Sequence, residues 1–302
     1  MEASEKTPKR RITWIDSAKG IGIILVVIGH STLPDFANKW IWSLHMPLFF
    51  FISGLLFSER KITFTAMFRH KCKMLIWPYI CFSLVILPYW VWNYDDIGFV
   101  LDTLAYGWRG IALWFIPVLF CTELLSFFIL VKFRNLHMKW IVLFFSALLG
   151  YILYKRGFIL PYKLTTVLSA LFIFGMGFLS KQWIFKKLLI LDVKRLIFCS
   201  ICMFVLTLLL TWLNPSRLDM ASNQVDDPII TYAGAFSGIL FILVSCSTIS
   251  RIKQDNVFAK ILSYLGKNSF VILALHQTIM GLLIVSFKNF ELSHVFSSLL
   301  RH

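Results

Sequence analysis

Three ionisable residues interrupt one apolar stretch near the start of the chain, and their types and spacing could support acid–base chemistry. Asp16, Lys19 and His30 lie within WIDSAKGIGIILVVIGHS at residues 14–31. Asp16 and Lys19 are three residues apart, so on a helix they share a face and can pair. Lys19 and His30 are three helical turns apart, an axial distance of roughly 16 Å. The spacing therefore predicts that all three side chains follow one stripe of a helix.

His30 is the residue in this stripe that is best suited to move a proton. An imidazole can take a proton from a hydroxyl group near neutral pH, which makes His30 a candidate general base. The alternative is structural: His30 would hydrogen-bond a neighbouring helix, while Asp16 and Lys19 would extend their charged ends to the membrane surface. The residues alone leave both interpretations open.

Other polar residues also fall inside or beside apolar runs. His45 lies close after His30 and would either face the same cavity or cap neighbouring backbone. Glu123 would either pair with a buried cation or imidazole, or orient a catalytic histidine. His276 is explained by catalysis and by hydrogen bonding between helices equally well, and we place Trp114 and Ser53 with it in a predicted polar cavity.

The elements that must position these residues are membrane-spanning helices. The chain has 302 residues, of which 58% are hydrophobic and only 15% charged, with a mean hydropathy of +0.76, whereas soluble domains are about a quarter charged. Apolar stretches near the roughly 20 residues needed to cross a bilayer predict nine spans, at about 14–34, 40–57, 74–92, 111–131, 140–154, 165–180, 196–213, 229–250 and 269–287. We expect an all-α polytopic bundle that forms one domain over residues 1–302. Residues 294–302 are too short to cross and are expected to be the stub of a tenth helix or a surface tail.

The distribution of charge predicts the orientation and excludes a basic nucleic-acid face. The formal net charge is +15, but the Lys and Arg residues are spread between the apolar blocks. Most of them fall in alternate loops, beginning with residues 1–13, which predicts that this tail is cytoplasmic. The acidic residues of the opposite loops, including Asp219, Asp226 and Asp227, are expected to be solvated. The six cysteines show no zinc-ligand spacing and are expected to be buried thiols, so no metal site is predicted.

Several motifs resemble the acyltransferase-3 family of membrane acyltransferases, particularly its fucose-O-acetylase-like branch. They are the segment at residues 14–31, SLHMPLFFFISGLLF at 43–57, FRHKCKMLIWPY at 68–79, GIALWFIPVLF at 110–120 and LGKNSFVILALHQ at 265–277. That family usually carries an arginine upstream of a histidine on its first helix, and Lys19 and His30 are the matching pair. Its members usually have at least ten spans, one more than we count here.

The resemblance implies an O-acetyltransferase of a bacterial inner membrane. Acetyl-CoA would be a co-substrate from the cytoplasm, with no bound cofactor, and its phosphates would be held by Arg69, Lys73 and Lys19. Many members show two arginines where this chain has Arg69 and Lys73, so which cation holds the donor stays open. The acceptor would be a hydroxyl of a cell-surface glycan or a lipid-linked sugar, with His30 and His45 facing the site.

Two other classes of function also fit a bundle with buried charges. A secondary transporter could use them to move a solute or its coupling proton, although we find no internal repeat in the sequence. An inactive scaffold could retain the same fold. Membrane lipids are the remaining expected partners, and the sequence does not indicate an oligomeric state.

Overall fold

A computed structural model describes residues 12–58, 63–93, 96–105, 111–158, 160–252 and 257–299. Nearly all of the tail predicted at residues 1–13 lies outside these ranges. Within them the chain is helical, and the sole β pairing is one isolated bridge between Asp219 and Gln224. The helices are α1 (Thr13–Gly29), α2 (Asp35–Leu56), α3 (Phe64–Lys71), α4 (Trp77–Asn93), α5 (Ile97–Ala105), α6 (Phe115–Ser126), α7 (Leu136–Lys155), α8 (Leu164–Lys186), α9 (Val193–Leu213), α10 (Pro228–Ile252), α11 (Val257–Lys267) and α12 (Ser269–Leu299).

Eight helical segments of the described residues are long and apolar enough to cross a membrane, and they correspond to the second to ninth predicted spans. The α3 and α4 helices form one of them, because a π-helical turn at Cys72–Ile76 joins them without a break. The first predicted span is shorter than expected, because α1 has 17 residues and stops at Gly29. A length of about 17 residues is the lower limit for a helix that crosses a bilayer. The all-α polytopic fold is confirmed, while the orientation of the N-terminus remains a prediction.

The last helix corrects the expectation for residues 294–302. Instead of a separate stub or tail, residues 294–299 continue α12, which runs unbroken for 31 residues from Ser269 to Leu299. The segment that follows residue 287 contains no glycine or proline, and so nothing in its sequence ends the helix. Residues 300–302 lie outside the described ranges.

Many large apolar side chains lie on the surface of the bundle. Leu84 on α4, Phe145 on α7 and Phe198 on α9 are each more than 60% exposed, and such faces would aggregate in water. The interior is filled by fully buried side chains such as Phe50 and Phe174. Exposed apolar faces around a packed core are what a bilayer requires of spanning helices.

Glycines let the central helices approach closely. A Cβ atom on Gly20 of α1 would overlap the backbone of Leu262 on α11, and one on Gly266 of α11 would overlap the backbone of Asp16. The short α11 therefore packs directly against the first half of α1. Contacts with α2, α10 and α12 surround the rest of α1, which places its polar stripe in the middle of the bundle. We call the end of the bundle where α1 begins the near end and the end where α1 stops the far end.

Candidate functional site

His30 lies at the end of α1 and faces a cavity at the far end of the bundle. Its Nδ1 is 2.8 Å from the carbonyl oxygen of Val26. A carbonyl oxygen can only accept a hydrogen bond, so Nδ1 must carry the proton. In the neutral imidazole, Nε2 then holds the free electron pair. The backbone of α1 thus fixes the tautomer that a general base requires.

This far cavity has a volume of about 230 Å³ and is built from four parts of the chain. They are the end of α1 with the first half of α2, the turn before α6, the turn before α8 and the loop after α9. Its lining residues are His30, Trp42, His45, Met46, Ile111, Ala112, Trp114, Lys163, Leu218, Asp219, Met220, Ala221 and Ser222. The cavity combines imidazoles, indole rings, one ammonium group and one carboxylate, a mixture suited to a polar organic substrate.

Two further histidines stand beside His30 and are anchored in the same way. The Nδ1 of His45 is 2.7 Å from the Ile41 carbonyl oxygen, and the Nδ1 of His276 is 2.9 Å from that of Leu273. The rings of His30 and His276 have their centroids 4.9 Å apart. Three imidazoles with their Nδ1 atoms bound to backbone therefore converge on one end of the bundle.

Trp42 holds this cluster together. Its indole nitrogen donates a hydrogen bond of 3.0 Å to the carbonyl oxygen of Gly29, directly before His30. Its ring centroid is 5.9 Å from that of His30 and 5.4 Å from that of His45. The guanidinium of Arg217 lies 4.0 Å from the centroid of the Trp42 ring, within the range of a cation–π interaction. Trp42 thus links the histidines of α1 and α2 to the loop after α9.

The loop at residues 214–227 forms the roof of the far cavity. Thr166 donates a hydrogen bond of 2.9 Å to the carbonyl oxygen of Met220. Asn223, which is buried, donates to the Gly150 carbonyl oxygen at 2.9 Å and accepts from the Ser169 hydroxyl at 2.7 Å. These bonds fasten the loop to α7 and α8, so that residues 218–222 close the cavity from above.

The acidic residues of this roof loop are partly exposed and also accept hydrogen bonds. Asp226 accepts hydrogen bonds from Ser216 and Tyr154 and pairs with Lys155 at 3.2 Å. Asp219 accepts a hydrogen bond of 2.9 Å from the backbone of Ala221 and lines the far cavity. These carboxylates keep part of their surface exposed, and they also find donors because the loop folds back onto the bundle. Asp227, on the same loop, caps α10 by accepting bonds of 3.0 Å from the backbone of Ile229 and Ile230.

Lys19 lines a second cavity of about 140 Å³ in the half of the bundle near the start of α1. Its other lining residues are Phe49, Ser53, Leu75, Phe115, Ile116, Leu119, Ser269, Phe270 and Leu273. The centroid of the Phe115 ring is 4.8 Å from that of Phe50 and 6.3 Å from that of Trp114. Trp114 faces the far cavity, so this aromatic group lies between the two cavities. Asp16 is buried in the first turn of α1.

His30 also lines a third opening, which we call the lateral groove. It has a volume of about 500 Å³, and α4 and α12 form its sides. Its lining residues are His30, Tyr89, Trp90, Gln277, Met280, Gly281 and Ile284. His30 is thus reached both from beneath the roof loop and from between two helices.

A comparison with protein-family models matches residues 12–300 to the acyltransferase-3 model, described as an acyltransferase domain. This match covers nearly the whole chain. The chain belongs to the acyltransferase-3 family. No curated protein sequence and no solved structure is detectably similar to it. The protein is therefore a membrane acyltransferase, and the chemistry that its cavities must support is acyl transfer.

The polar cavity predicted for this acyltransferase is divided in the structure. His276 and Trp114 lie at the far cavity and its histidine cluster, but Ser53 lines the cavity of Lys19. Ser53 is separated from the histidines because it lies two turns further along α2 than His45, about 12 Å along the helix axis. His30 and His45 both line the far cavity, and the Nδ1 of His45 also contacts backbone, so both alternatives for His45 stay open.

Glu123 of the acyltransferase pairs with a cation and not with a histidine. Its carboxylate is 2.7 Å from the Nζ of Lys71, and its side chain is 7% exposed. It lies two to three turns below Trp114, away from the far cavity. Of the two roles open from the sequence, the structure shows the ion pair.

Of the three predicted donor-binding cations, Arg69 and Lys73 are exposed, whereas Lys19 is half-buried. Arg69 lies in the last turn of α3, and Lys73 lies in the π-helical turn that follows. Lys73 lines a separate surface depression with Cys72, Ile76 and Trp77, and neither cation lines the cavity of Lys19. The inward-facing cation of this cluster is Lys71, which the sequence interpretation did not select.

The structure adds residues to the candidate active site that sequence reasoning missed. Trp42, Lys163, Arg217 and Asp219 surround His30 and His45, yet none of the predicted spans contains the last three. Gln277 was also missed, and its side-chain oxygen accepts a hydrogen bond of 2.6 Å from the backbone of Ala112. Its position directly after His276 was the one available signal.

Metal ligands and disulfides are not found among the described residues. No group of three His, Cys, Asp or Glu side chains is placed to hold a metal ion. All six cysteines are free thiols, but only Cys246 is buried and Cys81 is exposed. The prediction of buried thiols was wrong for Cys81, because apolar runs of this acyltransferase also face the bilayer, while the remaining four thiols are half-buried.

Proposed function

We propose that this acyltransferase moves an acetyl group from cytoplasmic acetyl-CoA to a hydroxyl of a cell-surface glycan or lipid-linked sugar at the far side of a bacterial inner membrane. Within the acyltransferase-3 family, this proposed reaction favours the fucose-O-acetylase-like branch. The observation that carries the proposal is the placement of His30. Its Nε2 is available to a substrate in the far cavity, while Lys19 lines a separate cavity on the same helix.

The cavity of Lys19 is suited to the acetyl donor, acetyl-CoA. The Lys19 ammonium offers a charge that can pair with phosphate oxygens, and Arg69 and Lys73 stand exposed at the same end of the bundle. Above Lys19 the lining becomes apolar and aromatic, which suits an uncharged thioester arm. The charged nucleotide would therefore stay at the cytoplasmic side while the acetyl group approaches His30.

The transfer itself requires one base and one acid, and His30 can serve as both. Its Nε2 removes the proton from the acceptor hydroxyl as the oxygen bonds to the thioester carbonyl carbon. The carbon–sulfur bond then breaks, and the leaving thiolate takes the proton back from His30. The products are an O-acetyl ester and CoA with a free thiol, and no other reactant is needed. General base catalysis of this type contributes about 10²- to 10⁴-fold to a rate.

Mass spectrometry of surface glycans tests this function. A strain that lacks the protein should lose one acetyl group from a glycan, and the wild-type gene should restore it while a His30→Ala variant should not. His137→Ala is a matched control, because His137 is exposed at the start of α7. A glycan whose acetylation is unchanged in the deletion strain would contradict the proposal.

A further inference from the structure

The lateral groove indicates how the acceptor reaches His30. It follows α12 from Gln277 through Met280 and Gly281 to Ile284, two helical turns or about 10 Å. His30 and Gln277 form its polar inner end, whereas Ile284 at the other end is 55% exposed. The lining of the groove therefore changes from polar beside His30 to apolar at the outer end.

The apolar end of this groove lies within the membrane-spanning part of the bundle. Ile284 belongs to the apolar segment Ser269–Phe287 of α12. Its neighbours Leu282 and Leu283 are 50% and 51% exposed. On the α4 side, Val91 and Trp92 follow the lining residues Tyr89 and Trp90 and are exposed as well. Acyl chains of the bilayer are thus the natural surroundings of the groove's outer end.

The side chain of Tyr89 on α4 approaches Gly281 on α12 closely across the groove. A Cβ atom on Gly281 would overlap the hydroxyl of Tyr89, so the glycine makes room for the phenol. Tyr89 and Trp90 bring polar atoms to the wall of the groove. Amphipathic aromatic residues of this kind are favoured where the hydrocarbon region meets the headgroups.

Access from directly above the site is more restricted. The roof loop covers the far cavity with residues 218–222, and hydrogen bonds from Thr166 and Asn223 hold it to α7 and α8. A long, finished polysaccharide that approached along the bundle axis would have to displace this loop. A sugar that enters between α4 and α12 leaves this loop in place and has to pass the Tyr89 side chain beside Gly281.

From this arrangement, and on the basis of the acetyl transfer proposed above, we propose that the acceptor is a sugar carried on a membrane lipid that reaches His30 sideways through the lateral groove. The sugar hydroxyl lies against His30 and Gln277, and the lipid leaves the groove past Ile284. Acetylation therefore precedes the reaction that transfers the sugar from its lipid carrier to a finished glycan.

Narrowing the groove tests this route. Ile284→Trp places a large side chain at the outer end of the groove, whereas Leu283→Trp adds the same side chain one residue away, where it does not line the groove. We expect Ile284→Trp to lower acetylation of lipid-linked saccharides by about tenfold and Leu283→Trp to leave it near wild type. The amount of each variant in the membrane and its acetyl-CoA hydrolysis without acceptor are measured in parallel, so that damage to folding or donor chemistry is detected.

The deciding measurement is mass spectrometry of two fractions from the same cells: the extracted lipid-linked saccharides and the finished surface glycan. Acetyl groups already present on the lipid-linked fraction support the proposal. Acetyl groups confined to the finished glycan, or equal activity of Ile284→Trp and wild type, would overturn it and leave the proposed acetyl transfer intact. Unchanged acetylation in both fractions of a deletion strain would instead refute the acetyl transfer itself.

Discussion

The imidazole rings of His30 and His276 lie 4.9 Å apart between centroids, at an interplanar angle of 71°. His276 is 5% exposed, and its Nε2 has no hydrogen-bond partner among the described residues. The edge of one ring thus packs on the face of the other. This contact predicts that His276 positions the His30 ring, and sharing the proton that His30 removes would require the two rings to move into hydrogen-bond contact.

Replacing His276 should therefore slow acyl transfer without unfolding the bundle. We expect His276→Leu, which keeps the volume of the side chain roughly constant, to lower kcat by about 10- to 100-fold. The pH profile of kcat separates the two roles: an unchanged profile indicates positioning, and a displaced profile indicates that the proton is shared. A His276→Leu protein with wild-type kcat and profile would remove His276 from the site.

Lys19 is predicted to act through its charge. Because arginine keeps the charge but offers a planar fork, Lys19→Arg should retain most activity, while Lys19→Ala should lose it. Acetyl-CoA binding and glycan acetylation are measured side by side for both variants. Weaker donor binding by Lys19→Ala would place Lys19 at the donor, whereas unchanged binding with lost transfer would assign it to positioning α1. Full activity of Lys19→Ala would contradict any role.

The ion pair between Lys71 and Glu123 should stabilise the fold. Glu123→Gln leaves the Lys71 ammonium, which is 22% exposed, without its carboxylate, and we expect a loss of about 2 kcal/mol in the free energy of unfolding. The double variant Glu123→Gln with Lys71→Met should recover most of it, because no charge is left unpaired. Arg195→Gln is the control, since its pair with Asp192 is exposed and should contribute at most about 0.5 kcal/mol. Equal losses from Glu123→Gln and Arg195→Gln in detergent unfolding would refute the assignment.

The attachment of the roof loop should depend on pH through Asp226. The hydrogen bond from Ser216, together with those from Tyr154, Gln224 and Lys155, lowers the pKa of Asp226 to about 2. A carboxyl group with a lowered pKa stabilises the fold fully above its ordinary pKa of about 3.9, and this contribution is lost as the pH falls toward 2.

We therefore expect Asp226→Asn to lower the melting temperature at pH 7 by about 2–4 °C, as the loss of one hydrogen bond would in a chain of this size. The difference from wild type should shrink at about pH 3. Asp102→Asn serves as the control, because Asp102 is exposed on α5. A difference that stays constant between pH 7 and pH 3 would contradict the assigned role of the Asp226 charge.

The spans and the polar stripe of α1 could be predicted from the sequence, because hydropathy and helical spacing are local properties. Lys19 and His30 do line cavities at successive depths of one helix. The roof loop could not be predicted in this way. Its anchors join Asn223 to Gly150 and Ser169, residues far apart in the chain, and a polar loop that folds onto the bundle has the same composition as a solvated one.

The sequence also could not show which cation of the cluster at residues 69–73 faces inward. Arg69, Lys71 and Lys73 are all basic and lie within five residues, and the family motif favoured the first and the last. The π-helical turn at Cys72–Ile76 changes the helical phase, so the spacing rule for an ordinary helix does not say which of them faces inward. Lys71 faces inward because it pairs with Glu123, which lies 52 residues further along the chain.

The most direct test of the proposed mechanism is the initial rate of acetyl transfer from labelled acetyl-CoA by purified His30→Ala protein, compared with wild type and His137→Ala. Because His30 is proposed to handle the proton and not to hold the bundle together, the variant should reach normal abundance and bind acetyl-CoA as wild type does. Its rate should fall by about 10²- to 10⁴-fold, with His137→Ala unchanged. A well-folded His30→Ala protein that retains a rate within a few-fold of wild type would contradict the central claim.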